Sequence, residues 1–171
     1  MARLSRWFGR LLDLLMVVAC LLLLAMTVMI GIDVLFRNIG AGGLAVSNEL
    51  SEDILYLMTL LAAPWLLRQG QHIRVDILLT ALPPRLAWYL EWVADTLGLA
   101  CCLFMAWYGA KATWASWTSG ALNIKTLVTP EWWSLAPLPA MFVLLSVEML
   151  FRMKRLHEGE RAPRQDAVSA A

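Results

Sequence analysis

The chain has little charge and few of the residue types that carry out catalysis. Charged residues make up 16% of its 171 positions and the formal net charge is +1, which excludes a nucleic-acid binder because such proteins need a strong basic excess. It has two histidines, His72 and His157, and the second lies in the C-terminal tail, so a haem held by two histidines cannot be built. The three cysteines lie in apolar runs without metal-ligand spacing. With no phosphate loop or nucleophile elbow either, the sequence predicts no enzyme activity, no cofactor and no metal site.

Apolar residues, in contrast, are abundant. They make up 60% of the chain, and the mean hydropathy is +0.65; an ordinary soluble domain has about 45–50% apolar residues even with glycine included. A soluble domain of this length has one core, and that core could not bury so much apolar surface. The composition therefore predicts a small integral membrane protein rather than a soluble enzyme or a disordered chain.

Four segments are predicted to cross the membrane, at about 11–35, 47–68, 86–110 and 130–152. The first contains nineteen consecutive uncharged residues, Leu14 to Ile32, close to the roughly 20 that a transmembrane helix needs. It is longer than the apolar region of a secretory signal, about 7–15 residues, and lacks a cleavage site. We therefore interpret it as an uncleaved helix.

The remaining spans are less regular. The second has only fourteen uncharged residues, 54–67, and must include the acidic segment 47–53 to cross. The fourth opens at Thr129-Pro130-Glu131, a typical helix start, and Pro137 and Pro139 predict a kink.

The parts of the chain outside the four spans complete the predicted organisation. Residues 73–82 are too short to cross and are expected to form an interfacial amphipathic helix. Residues 1–10 form a basic N-terminus, and 156–171 a disordered tail. The predicted fold is an all-α integral membrane protein of four transmembrane helices, with a short interfacial amphipathic helix between the second and third.

Basic residues predict the orientation. Eleven of the fourteen lysines and arginines lie in the two tails and in the loop between the second and third spans. Because cytoplasmic loops carry this excess, both termini are expected in the cytoplasm.

Several acids lie close to or inside the predicted spans. Asp33 with Arg37, and Glu148 with Arg152, have the spacing and order of helical ion pairs. Glu91 and Asp95, also four apart, are either a buried structural pair or part of a proton relay, with three candidate partners: Arg68, His72 and Arg74.

A second group of acids opens the second span. Glu49, Glu52 and Asp53, which we call the acidic collar, are either a solvated helix start favoured by the helix dipole or a contact with another polypeptide. Together with Glu91 and Asp95, they are the candidate partner contacts.

Four short motifs resemble one known family. They are Phe36-Arg37-Asn38, Asn48-Glu49-Leu50, the turn Arg68-Gln69-Gly70-Gln71-His72-Ile73-Arg74-Val75-Asp76, and Leu82-Pro83-Pro84-Arg85. The pattern resembles the small membrane subunit (DctQ-like) of tripartite ATP-independent periplasmic (TRAP) transporters. The chain departs from the family pattern at Val46, where tryptophan is usual, and at Ala62 and Pro64 in the second helix.

The resemblance implies a three-part importer in the bacterial inner membrane. A periplasmic solute-binding protein would capture an organic acid, and a large permease subunit would move it, driven by sodium. The chain would dock against the large subunit as part of its static scaffold, in contact with membrane lipids, and the substrate and sodium sites would belong to the large subunit.

The resemblance also implies roles for single residues. Arg37 and Glu49 would join the outer ends of the first two helices, and the inner turn would be shaped by Arg68, Gly70, His72 and Asp76. Glu49, Glu52 and loop 111–129 are candidate contacts for the binding protein.

Two alternatives remain. A self-contained small multidrug exporter needs a carboxylate midway along its first span, and Leu14 to Ile32 has none. A membrane-anchor subunit of a respiratory or other multisubunit complex stays open.

Overall fold

The structure, a computed structural model, describes residues 2–40, 42–69 and 83–158. Its elements are α1 (Ala2–Asn38), α2 (Ser47–Arg68), α3 (Pro84–Ser119), β1 (Leu122–Ile124), β2 (Val128–Pro130), α4 (Glu131–Leu135) and α5 (Pro137–Glu158). Four helical segments are long and apolar enough to cross a membrane, which confirms the predicted membrane fold. The predicted interfacial helix at 73–82, with Gly70, His72 and Asp76, lies outside the described residues. So does most of the predicted tail, although residues 156–158 belong to α5.

The four long helices pack mainly as a row, although the ring of Phe8 on α1 also reaches Phe151 on α5, with centroids 5.7 Å apart. In the described part of the chain, α1 packs on α2, α2 on α5, and α5 on α3, while α1 and α3 are not neighbours. One end of the row, the terminal end, contains the starts of α1 and α3 and the ends of α2 and α5. The opposite end, the hairpin end, carries the two short strands. Few side chains are buried in such a layer, and most apolar residues of α1 and α3 remain exposed.

Small residues on α3 allow α5 to approach closely. A side chain at Gly98 would collide with the Met149 side chain, and one at Gly109 would lie 2.5 Å from Leu138 Cδ2 and 3.4 Å from Pro139 Cδ. Close helix approach at small residues is the usual way in which transmembrane helices gain packing energy. The sequence of α3 therefore fixes its separation from α5.

Replacing Gly109 with leucine is expected to lower the free energy of unfolding by about 1–3 kcal/mol, because overpacking forces neighbouring side chains and backbone to shift. Gly31 on α1 is the matched control, since nothing lies within 4 Å of a side chain placed there. Unfolding in mixed detergent micelles, followed by circular dichroism, measures both variants. Equal effects at the two glycines would contradict the assigned α3–α5 contact.

Two features differ from the sequence prediction. Helix α3 continues to Ser119, nine residues beyond the expected end near 110, because this segment has one charge, Lys111, and no helix breaker before Gly120. Gly120 then ends the helix in the left-handed conformation, with φ of 63°, as glycine commonly does. The expected loop 111–129 is therefore partly helix and partly an antiparallel hairpin, in which Leu122 faces Pro130 and Ile124 faces Val128.

The last span is divided in two. Helix α4 ends at Leu135 and α5 begins at Pro137, so the irregularity that Pro137 and Pro139 predicted is present. The short α4 carries Trp132 and Trp133, and the ring of Trp132 packs edge-on against Trp117 with centroids 4.7 Å apart. This contact holds α4 against the end of α3.

Candidate functional site

At the terminal end, a buried charge cluster connects α2, α3 and α5. It consists of four buried residues, Glu91, Asp95, Glu148 and Arg152, and of Arg68 and Arg155 at its edge, whose side chains are 26% and 46% exposed. Glu148 is fully buried, and its carboxylate lies 2.7 Å from Arg155 Nη2 and 3.9 Å from Arg68 Nη1. Asp95, also buried, lies 2.9 Å from Nε of Arg152. Buried charges cost free energy unless they are paired, and these contacts supply that pairing.

The partners in this cluster correct one sequence prediction. Glu148 was expected to pair with Arg152 along α5, but it contacts Arg68 and Arg155, while Arg152 contacts Asp95. The physical reason is that α5 lies between α2 and α3. Opposite charges from both neighbours reach it, and these contacts replace the predicted pair within α5. Of the three candidate partners for Glu91 and Asp95, Arg68 contacts Glu148 of α5, and His72 and Arg74 lie outside the described residues.

Asp95 and Glu91 are interior residues. Their exposed fractions are 1% and 5%, so neither belongs to a surface that a partner protein could contact. The predicted partner-contact role is therefore wrong for this pair, because α5 already covers that face of α3. The ion pair between Asp95 and Arg152 instead supports the structural alternative over the proton relay.

The cluster also reaches α1 through Gly9. A Cβ atom at Gly9 would lie 2.8–3.1 Å from the guanidinium atoms of Arg68. Glycine, which has no side chain, therefore fits at this position, and a larger residue would require the arginine to move. Trp88 of α3 donates a hydrogen bond to the carbonyl of Leu156 at 3.4 Å, close to the same end. All four long helices are thus joined at the terminal end.

At the hairpin end, Arg37 stays on its own helix. Its Nε lies 2.9 Å from Asp33 Oδ2, which confirms the predicted pair within α1. Asp33 also accepts a hydrogen bond from the backbone N–H of Leu44 and so anchors the connection to α2. The expected contact between Arg37 and Glu49 is wrong, because the guanidinium of Arg37 pairs with Asp33, one turn away on the same helix.

The acidic collar at the start of α2 holds the hairpin. The carboxylate of Glu49 accepts hydrogen bonds from the backbone N–H groups of Thr126 and Leu127, and Glu52 accepts one from Lys125 Nζ at 3.0 Å. The hydrogen bond from Lys125 to Glu52, together with the charges of the collar, raises the pKa of the lysine. Glu49 and Glu52 thus have partners inside the chain, but the hairpin amides and Lys125 are not the partners that the sequence predicted.

Asp53, the third acid, lines a cavity of about 180 Å³ between α2 and the last span. The other lining residues are Tyr56, Leu57, Thr129, Trp133, Ser134 and Pro137. A carboxylate, three hydroxyl groups and an indole ring therefore surround one opening at the hairpin end. In the residues that the structure describes, no group of three or more histidines, cysteines or acids could hold a metal ion.

Replacing Glu49 with glutamine is expected to speed amide hydrogen exchange at Thr126 and Leu127 by about tenfold or more, because a neutral amide accepts these bonds less strongly than a carboxylate. Glu52→Gln is the matched control, since Glu52 contacts a side chain and no backbone amide of the turn. Exchange followed by mass spectrometry on the purified chain reports both. Unchanged exchange in the Glu49 variant would show that the turn does not depend on the collar.

Comparison with known proteins gives two consistent results. Residues 26–158 match the family model described as "Tripartite ATP-independent periplasmic transporters, DctQ component". The chain is also similar to a Haemophilus influenzae protein provisionally named as a TRAP transporter small permease protein, with 27% identity over 86 residues. That alignment covers 50% of this chain and 53% of the relative, so the chain spans about half the length of the curated protein that it matches.

Proposed function

We infer the function from one premise: the chain belongs to the DctQ family of TRAP transporters and is a small membrane subunit of such a transporter. We propose that it is the scaffold of a sodium-driven importer, against which a large permease subunit moves an organic acid. A periplasmic binding protein delivers the solute in this proposal.

The row of helices supports a scaffold role most directly. A path for a polar solute needs walls on all sides, and a row in which α1 and α3 are not neighbours has two open faces. The buried charge cluster at the terminal end joins the helices by ion pairs rather than by apolar contacts alone. These features favour a stiff wall over a moving carrier.

The exposed apolar side chains support a membrane partner. Leu14, Leu21 and Leu24 on α1 are about 60% exposed, and Trp107 on α3 is 72% exposed. The large permease subunit and lipid would share these surfaces. We place both termini in the cytoplasm on the distribution of basic residues, and the membrane domain in the inner membrane on the family of the chain.

The hairpin end would then face the periplasm and the binding protein. Since Glu49 and Glu52 hold the hairpin, we assign the protein contact mainly to Asp53 and the cavity beside it. Inner-turn roles for Arg68, Gly70, His72 and Asp76 stay a proposal from the family motif.

Reconstitution tests the assignment. Vesicles holding this chain with its large subunit, supplied with the binding protein and a sodium gradient, are expected to accumulate an organic acid. Vesicles holding this chain alone are expected to accumulate none. Uptake by the chain alone, or copurification with a flavin or iron–sulfur subunit, would overturn the proposal.

Reversing the charge at Asp53 is expected to weaken docking of the binding protein by about tenfold, the effect of a charge-assisted contact of roughly 1.4 kcal/mol. Lys154→Glu, at an exposed position of the terminal end, is the control and should leave docking unchanged. Surface plasmon resonance on the two-subunit complex in nanodiscs measures both. Equal affinity for Asp53→Lys and the unmodified complex would remove this contact from the proposal.

A further inference from the structure

The cavity beside Asp53 combines one carboxylate with aromatic rings and hydroxyl groups. Tyr56 and Trp133 provide the rings, and Tyr56, Thr129 and Ser134 provide the hydroxyl groups. The volume of about 180 Å³ exceeds by far the roughly 10–15 Å³ that one water molecule needs. A carboxylate and the face of an aromatic ring both attract cations, so this lining favours a positively charged organic group.

The charges around the cavity are complementary to a cationic partner. The two segments at the hairpin end, 33–53 and 111–131, contain five acidic and three basic residues, a net charge of −2. Lys125 interacts electrostatically with Asp53, but its hydrogen bond goes to Glu52. One cation is thus shared between these two acids, and a cationic group from a partner would compensate the remaining negative charge.

A guanidinium group matches this lining better than an ammonium group does. It is planar, stacks on aromatic rings and carries five N–H donors, whereas an ammonium group is a compact and strongly hydrated charge. The carboxylate of Asp53 and the three hydroxyl oxygens are acceptors for those donors. Asp53 and Trp133 are both exposed, the tryptophan to 61%, so a side chain that arrives from solution can reach them.

We propose that the cavity receives one arginine side chain of the periplasmic binding protein. Its guanidinium group stacks on the ring of Trp133 and forms a charge-assisted pair with Asp53. This inference rests on the proposed function, which supplies the binding protein as the partner. It adds the chemical identity of the group that the cavity recognises.

Butylguanidinium is a probe for this site, because it carries the charged group of arginine without the rest of a protein. The chain is labelled with 5-fluorotryptophan and assembled with its unlabelled large subunit in nanodiscs. The fluorine resonance of Trp133, assigned with the Trp133→Leu variant, reports binding. We expect a dissociation constant on the order of 10 mM, as for one charge-assisted hydrogen bond and one cation–π contact. Butylammonium, which has the same charge, should bind more weakly.

Docking of the binding protein to the two-subunit complex, followed by surface plasmon resonance, tests the source of the arginine. Asp53→Asn should lower the affinity about fivefold, and Trp133→Leu about threefold. Saturating butylguanidinium should weaken docking to the unmodified complex about fivefold and have no effect on the Asp53→Asn complex, with sodium chloride at equal ionic strength as the control. Glu131→Gln is the matched control for the lost charge, since Glu131 does not line the cavity and accepts a hydrogen bond from Ser116 at 3.0 Å.

Alanine replacement of the surface arginines of the binding protein, one at a time, identifies the donor. One of these variants is expected to weaken docking to the unmodified complex about fivefold and to have little effect on docking to the Asp53→Asn complex. This is the non-additivity that a double-mutant cycle shows for two residues in contact.

Three results would overturn the inference. The first is an unchanged Trp133 resonance when butylguanidinium is added to the unmodified complex, a measurement that does not involve the binding protein. The second is equal docking affinity of the Asp53→Asn and unmodified complexes. The third is equal binding of butylammonium and butylguanidinium, which would remove the preference for arginine. Absence of docking to the unmodified complex would instead overturn the proposed function, and that measurement comes before any variant is used.

Discussion

Replacing Glu148 with leucine is expected to lower the free energy of unfolding by about 1.5–3 kcal/mol, the contribution of a hydrogen bond to a charged group, because the two arginines that remain are partly exposed. The carboxylate is fully buried, with Arg155 at 2.7 Å and Arg68 at 3.9 Å. Its loss takes a negative charge away from two guanidinium groups at once. Because Arg68 belongs to α2 and Glu148 to α5, the substitution weakens the contact between these two central helices.

Unfolding in mixed detergent micelles measures this change, and Glu52→Leu provides the matched control. Glu52 also forms an ion pair, with Lys125, but its side chain is 71% exposed. An exposed pair contributes only about 0–1 kcal/mol, so the control should be nearly neutral. A loss at Glu148 as small as that at Glu52 would show that the cluster does not hold the helices together.

The second large effect concerns Asp95 and Arg152, which lie 2.9 Å apart between α3 and α5. Either single leucine substitution is expected to cost about 3–5 kcal/mol, because it removes one partner of a buried ion pair. The double variant should recover most of that loss, since replacing both partners of a buried pair with apolar residues is often neutral or stabilising.

A double-mutant cycle on unfolding free energies measures the coupling between the two residues. Strong coupling is the expected result. Additive single effects would show that each residue acts through other neighbours. The same variants, assembled with the large subunit, also examine the proton-relay alternative. A double variant that folds and supports uptake at an unchanged pH profile would exclude that relay.

The spans could be predicted because membrane helices need only length and apolarity. The run from Leu14 to Ile32 and the prolines at positions 83 and 84 define helix positions without knowledge of their neighbours. The family was recognisable from a few polar residues at the ends of the helices and in the turn after α2, among them Arg37 and Glu49. These signals are local in sequence, so one chain is enough to find them.

The partners of the charged residues could not be predicted in the same way. Pairing of Glu148 with Arg68 rather than Arg152 depends on which helices are neighbours, and apolar periodicity does not specify their order in the row. The hairpin was missed because its strands have three residues each and its turn, 125–127, lacks the glycine or asparagine typical of short hairpins. A carboxylate on α2 stabilises that turn, an interaction across 77 positions in the sequence.

The order of the row also constrains biosynthesis. The two central helices, α2 and α5, run in the same direction. Helix α5 follows α3 in the sequence but lies between α2 and α3 in the row, so the chain must make α3 before α5 can enter. Until α5 has left the ribosome, Arg68 does not have its contact with Glu148, and Asp95 does not have its contact with Arg152. A nascent chain that stops before Glu148 would therefore lack the ion pairs by which α5 joins α2 to α3.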